Sequence, residues 1–438
     1  MERRNFIKNS SLAAAGGLTI LNFPVFGKNA PSNKVIVGVM GVNSRGAWHC
    51  EKFSQIPGVE VAYICDVEDG AIKKGLAALK GAGRQPSIEK DIRNLVKKSD
   101  LDAVIIAAPD HWHAPAALMA LQNGKSAYVE KPCSHNPHES EILIQAQEKY
   151  GKVIQVGSQR RSFPTLIDAV KQVRGGLLGN VYMAKSWYTN SRKPIGVGKV
   201  IPVPSTLDWN LWQGPAPRRE YKDNLVHYNW HWQWNWGTGE ACNNGNHELD
   251  CCRWFLGVDI PTKVTSAGGR YAAKDDWETP DTQIASFEFA DKKVITWEGR
   301  SCQNFPVEGS GRGFIIYGDK GTLVNLGGEE YKVYDIANEL VSEIKSQRKA
   351  DANNTVSASG DADLYHFNNF IESIRGNEKP NASIQSAHES VLLCHLANIS
   401  QRVGSSLTCD PKNGHIIGNN DAEKLWSRSY EKGWEMKL

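Results

Sequence analysis

The residues of this chain best suited to chemistry begin with a glycine-rich turn. An apolar run at positions 35–40 leads directly into Gly41-Val-Asn-Ser-Arg-Gly46, and a helix-like segment follows at 47–54. The first glycine permits a tight turn and the last permits close packing of helix on strand, while Asn43 stands at the second glycine position of the dinucleotide fingerprint. We expect this asparagine to adopt positive φ. The pattern predicts a cradle for the diphosphate of a dinucleotide, formed by Gly41, Asn43, Ser44, Arg45 and Gly46.

A turn of this type can also be purely structural, and three features downstream favour the nucleotide. A second apolar run at 59–65 ends in Asp66, twenty residues after Gly46. An acidic residue at this place accepts hydrogen bonds from a ribose diol and repels a 2′-phosphate, which favours NAD over NADP. Further apolar runs at 102–109 and 126–129 also end in polar loops. Strands that alternate with helical stretches as far as 153–156 predict a doubly wound parallel sheet, a Rossmann domain over residues 32–157.

Two motifs at the ends of those runs carry a family resemblance. The stretch Ala107-Ala-Pro-Asp-His-Trp-His-Ala114, followed by Glu130-Lys131-Pro132, resembles the signature of the Gfo/Idh/MocA family, which includes glucose–fructose oxidoreductase and inositol dehydrogenase. The resemblance implies NAD as the cofactor. It also implies that Lys131 lies beside the nicotinamide and the substrate hydroxyl. The further cofactor contacts that we expect are Pro109, His111, His113 and Glu130.

The second half of the chain contains a long irregular region at 189–239, rich in Trp and His. Any single tryptophan there could simply pack the loop against the body. As a group they favour an aromatic platform, because flat rings bury the apolar C–H face of a pyranose while His and Asn bind its hydroxyls. His227 and His231 have the spacing of a zinc pair on a helix, but the surrounding sequence is not helical, and we expect no metal. The residues predicted to bind substrate here are Tyr188, His227, Trp230, His231 and Trp232.

A second motif, Gly237 to Asp250, resembles the family's helix signature G-x-x-x-x-D-x-G-x-H-x-x-D. Asn243 replaces the usual aspartate, so no negative charge stands there to raise the basicity of a histidine. The spacing of four predicts that Asn243 and His247 share one helical face. The resemblance implies that His247 accepts the substrate proton while Lys131 orients the hydroxyl, with Asn243 and Asp250 also at the substrate. The reverse assignment stays open, because a lysine beside a cationic nicotinamide has a lowered pKa. His227 and His231 also stay open as competing bases.

The remaining sequence predicts a β-rich second domain over residues 158–420. Strand-like runs lie at 181–188, 262–267, 283–289, 294–298, 314–317 and 322–325, and helical stretches at 165–174, 364–374 and 384–402. The resemblance implies a largely antiparallel open sheet, covered by helices on one face, whose other face often makes a dimer contact. We therefore expect a homo-oligomer. Residues 421–438 carry three aromatic side chains and should pack back on the body.

The first 31 residues predict a targeting segment. Arg3-Arg4-Asn5-Phe6-Ile7-Lys8 is similar to a twin-arginine signal, and the apolar stretch after it is too short and too interrupted by Gly and Pro to span a membrane. This route predicts export of the folded protein to the periplasm. Nine cysteines without framework spacing predict buried, reduced thiols. The net charge of +3, without runs of like charge, gives no support for nucleic-acid or membrane-surface binding.

Together these patterns predict an NAD-dependent enzyme that oxidises a secondary alcohol of a sugar or glycoside, at C3, to a ketone. A first alternative is a glycosidase that oxidises C3 transiently, eliminates the C1 substituent and returns the hydride. The family's acetylgalactosaminidases carry a Tyr-Pro-Thr-His-Gly stretch that this chain lacks. A second alternative is a non-catalytic nucleotide or sugar sensor, although such relatives typically lose the lysine that this chain retains as Lys131.

Overall fold

A parallel six-stranded sheet forms the first part of the structure, a computed structural model that describes residues 34–83, 85–345 and 362–438. The predicted targeting segment, residues 1–31, lies outside the described residues. The strand order is β3-β2-β1-β4-β5-β6, and every pairing is parallel. The strands are β1 (Val35–Met40), β2 (Val59–Cys65), β3 (Ser87–Glu89), β4 (Ala103–Ile106), β5 (Ser126–Val129) and β6 (Ile154–Val156).

Helices cover both faces of this sheet, which explains why its inner strands are largely apolar rather than alternating, whereas the edge strand β3 is mostly exposed. All four residues of β4 and of β5 are buried, for example. The intervening helices are α1 (Arg45–Ser54), α2 (Asp69–Ala78), α3 (Ile92–Leu95), α4 (Asp110–Gln122) and α5 (Pro137–Tyr150). This is the predicted Rossmann sheet.

A ten-stranded mixed sheet forms the second part, in the order β14-β13-β12-β11-β7-β10-β9-β8-β15-β16. Among its pairings in the described residues, only β7 with β10 is parallel. The strands are β7 (Val181–Thr189), β8 (Lys263–Gly269), β9 (Thr282–Glu288), β10 (Val294–Arg300), β11 (Arg312–Gly318), β12 (Gly321–Asn325), β13 (Tyr331–Asp335), β14 (Leu340–Ile344), β15 (Leu407–Cys409) and β16 (Ile416–Ile417). The largely antiparallel second sheet is confirmed; the sequence patterns did not reveal β13 to β16.

Helices pack on one face of the mixed sheet. The helices of this part are α6 (Pro164–Arg174), α7 (Trp209–Gln213), α8 (Asn246–Leu256), α9 (Ala362–Ile374), α10 (Ile384–Val403) and α11 (Asn420–Glu423). Side chains of α6, α8 and α10 share one apolar core with β7 to β12. Along β9 the pattern alternates, with Ala285 and Phe287 buried and Ile284 59% exposed. The two faces of the sheet are therefore chemically different, as an alternating strand requires.

Late segments of the chain return to the first sheet. Phe367 and Phe370 of α9 join the apolar core that covers β1 and β4. Trp434, in the final segment, packs edge-on against Trp112 of α4 at 5.2 Å between ring centroids. The predicted boundary at residue 157 therefore separates the strands of the two sheets, but helix α9 and the final segment come from beyond it and pack on the first part.

Two further features concern the whole described part. Its helices include none that is long and apolar enough to cross a membrane. All nine cysteines are free, and all except Cys302 are buried.

Candidate active site

One cavity of about 910 Å³ lies at the carboxyl edge of the parallel sheet. Its wall on that side is formed by the glycine turn and by the ends of β2, β4 and β5, and its opposite wall comes from the second half of the chain. Most of the predicted site residues line it, namely Gly41, Asn43, Ser44, Arg45, Asp66, Pro109, His113, Glu130, Lys131, Tyr188, His227, Trp230, His231 and Asn243. The fold thus brings residues from positions 41 to 243 to one space.

The glycine turn has the geometry that a diphosphate cradle requires. Gly41 has φ of 82°, and a Cβ there would lie 2.6 Å from the backbone nitrogen of Ala108. A Cβ on Gly46 would lie 1.8 Å from the carbonyl oxygen of Gly41, so neither position admits a side chain. The α1 helix begins at Arg45, with its N-terminal amide groups at the turn. The turn therefore fits a dinucleotide.

The predicted reason for asparagine at position 43 is wrong. Asn43 is absent from the described non-glycine residues with positive φ, and its Oδ1 instead accepts a hydrogen bond from Lys74 Nζ at 2.7 Å. The side chain is accommodated because it turns outward to this lysine. Asp66 lies at the end of β2, where its carboxylate accepts hydrogen bonds from the Val42 and Glu68 amides at 2.7 and 3.1 Å. Burial raises the pKa of Asp66 to about 6.

Two predicted cofactor contacts are partners of each other. Arg45 Nε lies 2.9 Å from Glu130 Oε1, and Arg45 Nη2 lies 3.0 Å from Asp363 Oδ2. His49 Nε2 also contacts Glu130 Oε1 at 2.9 Å. Although burial would raise the pKa of Glu130, Arg45 and His49 hold it well below its usual value. This buried network fixes the backbone at residue 130 and therefore positions the next residue, Lys131.

Lys131 is the centre of the cavity's polar chemistry. Its Nζ donates hydrogen bonds to the backbone oxygen of Asn243 at 2.6 Å and to its Oδ1 at 3.1 Å. Burial lowers the pKa of Lys131, and the nearby Glu130, Asp110 and Glu240 only partly oppose this. Asn243 belongs to a π-helical turn, Ala241–Gly245, which precedes α8. The prediction that Asn243 and His247 reach one ligand together is not confirmed, because Asn243 lines the cavity and His247 does not.

The predicted histidines occupy different environments. His231 lies in the cavity wall, where its ring stacks on Trp230 at 3.6 Å and its Nδ1 contacts the carbonyl oxygen of Tyr228. Burial lowers the pKa of His231 to about 3. His247 is buried behind the wall, and its Nε2 has no hydrogen-bond partner among the described residues. Burial and the charges of Lys131 and Arg312 bring the pKa of His247 well below its usual value.

Besides Gly46 and the buried His247, three predicted residues do not line the cavity. His111 binds the carbonyl oxygen of Trp212 through Nε2 at 3.0 Å, and Trp232 stacks on Trp277 at 4.1 Å. Asp250 forms a buried ion pair with Arg161 at 2.7 Å. These contacts account for the three side chains as structural elements, and direct contact with cofactor or substrate is not supported.

The sequence patterns missed two charged residues of the site. Arg192, in the cavity wall, donates from Nε to Glu240 at 2.9 Å and from Nη1 to the hydroxyl of Tyr228 at 2.7 Å. Glu240 also accepts hydrogen bonds from Asn243, Asn244 and Ser301, so it connects Arg192 to the residue that holds Lys131. No motif marks Arg192, since it stands in an irregular loop. Asp110 was also missed; it lines the cavity and burial raises its pKa to about 6.

The fold and this cavity define a dinucleotide-dependent enzyme with a Rossmann sheet and a separate mixed sheet. Residues 34–158 match the family model described as "Oxidoreductase family, NAD-binding Rossmann fold". Residues 170–408 match its companion, "Oxidoreductase family, C-terminal alpha/beta domain". The chain belongs to the Gfo/Idh/MocA oxidoreductase family and binds NAD.

Individual relatives differ in what they are named for. An inositol 2-dehydrogenase from Rubrobacter xylanophilus is 25% identical over 294 residues, which cover 67% of this chain and 71% of the relative. A glycosyl hydrolase family 109 protein from a Shewanella species is 29% identical over 210 residues, 43% of this chain and only 46% of the relative. A levoglucosan dehydrogenase in complex with NADH has the same fold, with a TM-score of 0.65, 18% identity and coverage of 86% of this chain and 99% of that one.

Proposed function

We propose that this chain is a dehydrogenase that oxidises a secondary alcohol of a sugar or glycoside, at C3, to a ketone. The observation that carries the proposal is the single continuous cavity. It runs from the glycine turn to Lys131 and on to a wall of aromatic and polar side chains from the second half of the chain. Bound NAD supplies the acceptor for the hydride of the carbinol carbon.

The contacts of Lys131 favour it as the group that takes the substrate's hydroxyl proton. A neutral amine has two N–H groups and one lone pair. The two N–H groups match the two oxygens of Asn243, at 2.6 and 3.1 Å, and leave the lone pair for the substrate hydroxyl. Burial lowers the pKa of Lys131, which increases the neutral fraction near neutral pH. His247 fits this role less well, because it does not line the cavity, and burial with the charges of Lys131 and Arg312 brings its pKa well below the usual value.

The opposite wall has the chemistry of a carbohydrate site. Trp230 and Tyr188 offer aromatic surface, and Asn190, Arg192 and Asn244 offer polar groups. A sugar ring presents apolar C–H faces together with hydroxyls, so such a wall can bury one and hydrogen-bond the other. The name of the inositol dehydrogenase relative agrees with a polyhydroxylated substrate.

The test is turnover with NAD across a panel of pyranosides that differ at C3. Purified protein should reduce NAD with free sugars or glycosides that carry a C3 hydroxyl, and 3-deoxy analogues should give no reduced-nucleotide absorbance. Equal rates with the 3-deoxy analogues would contradict oxidation at C3. Absence of turnover with every compound of the panel would contradict the dehydrogenase function.

A second candidate is cleavage of a glycoside by transient oxidation at C3, supported by the glycosyl hydrolase family 109 relatives. The ketone makes the C2 proton acidic, the C1 substituent leaves by elimination, water adds, and the returned hydride restores the C3 alcohol. The cofactor is then regenerated in each cycle. Release of p-nitrophenol from aryl glycosides without added NAD would support this candidate, whereas net reduction of NAD without release supports the first.

Two further proposals come from the sequence and from surface features. We propose that residues 1–31 direct export of the folded protein to the periplasm, which a fusion of this segment to a folded reporter tests: replacement of Arg3 and Arg4 by Lys should retain the reporter in the cytoplasm. We also propose a homo-oligomer through the outer face of the mixed sheet, where Ile284 is 59% and Tyr182 is 46% exposed. Light scattering should give a multiple of the chain mass, and Ile284→Lys should reduce it.

A further inference from the structure

A second, smaller cavity of about 230 Å³ lies behind the active site. It is bounded by the start of α5, by α10 and by the segment that follows α11. The residues that line it are His135, Asn136, Pro137, Trp234, Thr238, His395, Asn398, Ile399, Arg402, Leu425, Ser427 and Arg428. None of these residues lines the larger cavity. The two spaces are therefore distinct.

Several polar atoms of these lining residues are buried without a hydrogen-bond partner among the described residues. They are both ring nitrogens of His135, Asn136 Nδ2, Asn398 Oδ1 and Arg428 Nη1. Asn136 and Asn398 are each only 5% exposed. A buried polar group without a partner has lost its hydrogen bonds to water without replacement, so a cluster of five around one cavity indicates an occupant that bonds to them.

The surroundings select a negatively charged occupant. The 14-residue helix α5 begins at Pro137, so its positive N-terminal end lies at the cavity. The guanidinium of Arg402 stacks over Trp234 at 4.7 Å and forms no hydrogen bond within the described part of the chain. Burial is the main cause of the pKa of His135 lying well below its usual value, and the positive charges of Arg428 and Arg402 add to it.

Acidic groups nearby only partly cancel this charge. Glu139 forms an ion pair with Arg428 at 2.7 Å and also binds the His135 amide and the Tyr430 hydroxyl. Glu278 is the acidic residue whose charge acts on Arg402, and it is itself paired with Arg219 at 2.9 Å. The Asn136 cap and Glu139 in the first turn compensate the positive end of α5, so the cationic groups that remain available to a ligand are the exposed guanidinium of Arg402 and Nη1 of Arg428.

We propose that this cavity is a second ligand site, which binds a small oxyanion, a carboxylate or a phosphate. The free donors of Arg402, Arg428 and Asn136 would hold its oxygen atoms, and Asn398 Oδ1 would accept from a hydroxyl on the same ligand. The buried, charged Nη1 donor of Arg428 favours an anionic oxygen over water at this position.

The site is connected to the active site through Thr238. Asn398 Nδ2 donates to the carbonyl oxygen of Thr238 at 2.8 Å, and the hydroxyl of Thr238 donates to Asp110 Oδ2 at 2.5 Å. Asp110 lines the larger cavity. A ligand that engages Asn398 therefore acts on a hydrogen-bonded chain that ends at the cofactor cavity.

Ligand binding can be tested without turnover, on the full chain saturated with NAD. Sodium acetate, glycolate and inorganic phosphate are titrated separately while the thermal unfolding midpoint is followed, against sodium chloride at equal ionic strength. We expect a saturable increase with at least one oxyanion, and the strongest of the three identifies the chemical source. The Arg402→Gln substitution should weaken the apparent affinity of the protein for this oxyanion about tenfold or more, because a charge-assisted hydrogen bond is lost.

Arg93→Gln is the matched control, since the Arg93 guanidinium also lies over a tryptophan ring, at 4.6 Å from Trp434, but lines neither cavity. It should leave the oxyanion affinity unchanged. Leu425→Phe, which fills the cavity, should abolish the response. The proposal is overturned if no oxyanion gives a saturable increase, if Arg402→Gln and Arg93→Gln behave alike, or if a crystal soaked in the best oxyanion shows only water there. An NAD dissociation constant that changes about fivefold with the oxyanion would support the Thr238 connection, and an unchanged one would overturn it.

Discussion

Substitution of Asn243 by aspartate tests the proposed role of Lys131 most directly. The side-chain oxygen of Asn243 lies 3.1 Å from Lys131 Nζ. Aspartate is nearly the same size, so it would place a full negative charge at the same distance without a new clash. The charge stabilises the ammonium form, and the pKa of Lys131 must rise.

The size of the effect follows from the geometry. A unit charge at 3.1 Å interacts with the ammonium by about 5 kcal/mol at an effective dielectric constant of about 20. Part of this is lost, because the new carboxylate is desolvated and faces Glu240, whose Oε1 lies 3.3 Å from Asn243 Nδ2. We therefore expect the pKa to rise by about 1–2 units, within the range of about 1–3 produced by one adjacent opposite charge. Because one unit is tenfold, kcat/KM should fall about 10- to 100-fold at pH values below the original pKa, and by less between the original and the new pKa.

The assay is the pH profile of kcat/KM for NAD reduction. A base must be unprotonated to act, so activity rises with pH through the pKa of Lys131, and the variant's rising limb should move to higher pH while its plateau stays near the original value. Asn244→Asp is the matched control, because Asn244 also donates to Glu240 and lines the cavity but makes no hydrogen bond with Lys131. An unshifted limb in Asn243→Asp, or an equal shift in Asn244→Asp, would refute Lys131 as the proton acceptor.

Three other outcomes are expected. Lys131→Ala should abolish turnover but retain NAD, as calorimetric titration can show, and full activity in this variant would remove the lysine from the mechanism. Gly46→Ala should reduce the unfolding free energy by about 1–3 kcal/mol and eliminate NAD binding, because its Cβ would lie 1.8 Å from the Gly41 carbonyl oxygen; wild-type NAD affinity would contradict the close packing of the turn. Burial raises the pKa of Asp110 from 3.8 to about 6. The stability that protonated Asp110 contributes is therefore complete below pH 3.8 and is lost as the pH rises through about 6. Asp110→Asn should therefore gain up to about 3 kcal/mol over the wild type between about pH 4 and pH 7, measured by denaturant unfolding, and a constant difference across that range would contradict burial of the charge.

The parallel sheet could be predicted because its signals are local. Most of its strands are continuous apolar runs, and the glycine turn after β1 and the acidic residue after β2 have fixed spacing. The short, mostly exposed edge strand β3 was missed. The late helices α9 and α10 were predicted within two residues of their observed ends. Strands β13 to β16 were missed as well: β14 is exposed at every residue, and β15 and β16 have three and two residues, so these three leave no alternating pattern.

The active site could be predicted only in part. Lys131 and Asn243 were placed at one site by motif, and the structure joins them by hydrogen bonds. His247 was expected beside them; it is buried and the charge of Lys131 acts on it, but it does not line the cavity. A sequence spacing of four does not show which side chains reach a cavity wall.

What the sequence determined by itself is the set of backbone requirements. Only a residue without Cβ fits at positions 41 and 46, so the glycines and their spacing alone predict the turn. Tertiary structure alone decided which distant side chains meet. Chain segments far apart in sequence converge on one cavity, and this brings together Arg192, Glu240 and Asp110. Charge and burial at such a point depend on all of these neighbours together, and no local pattern in the chain encodes them.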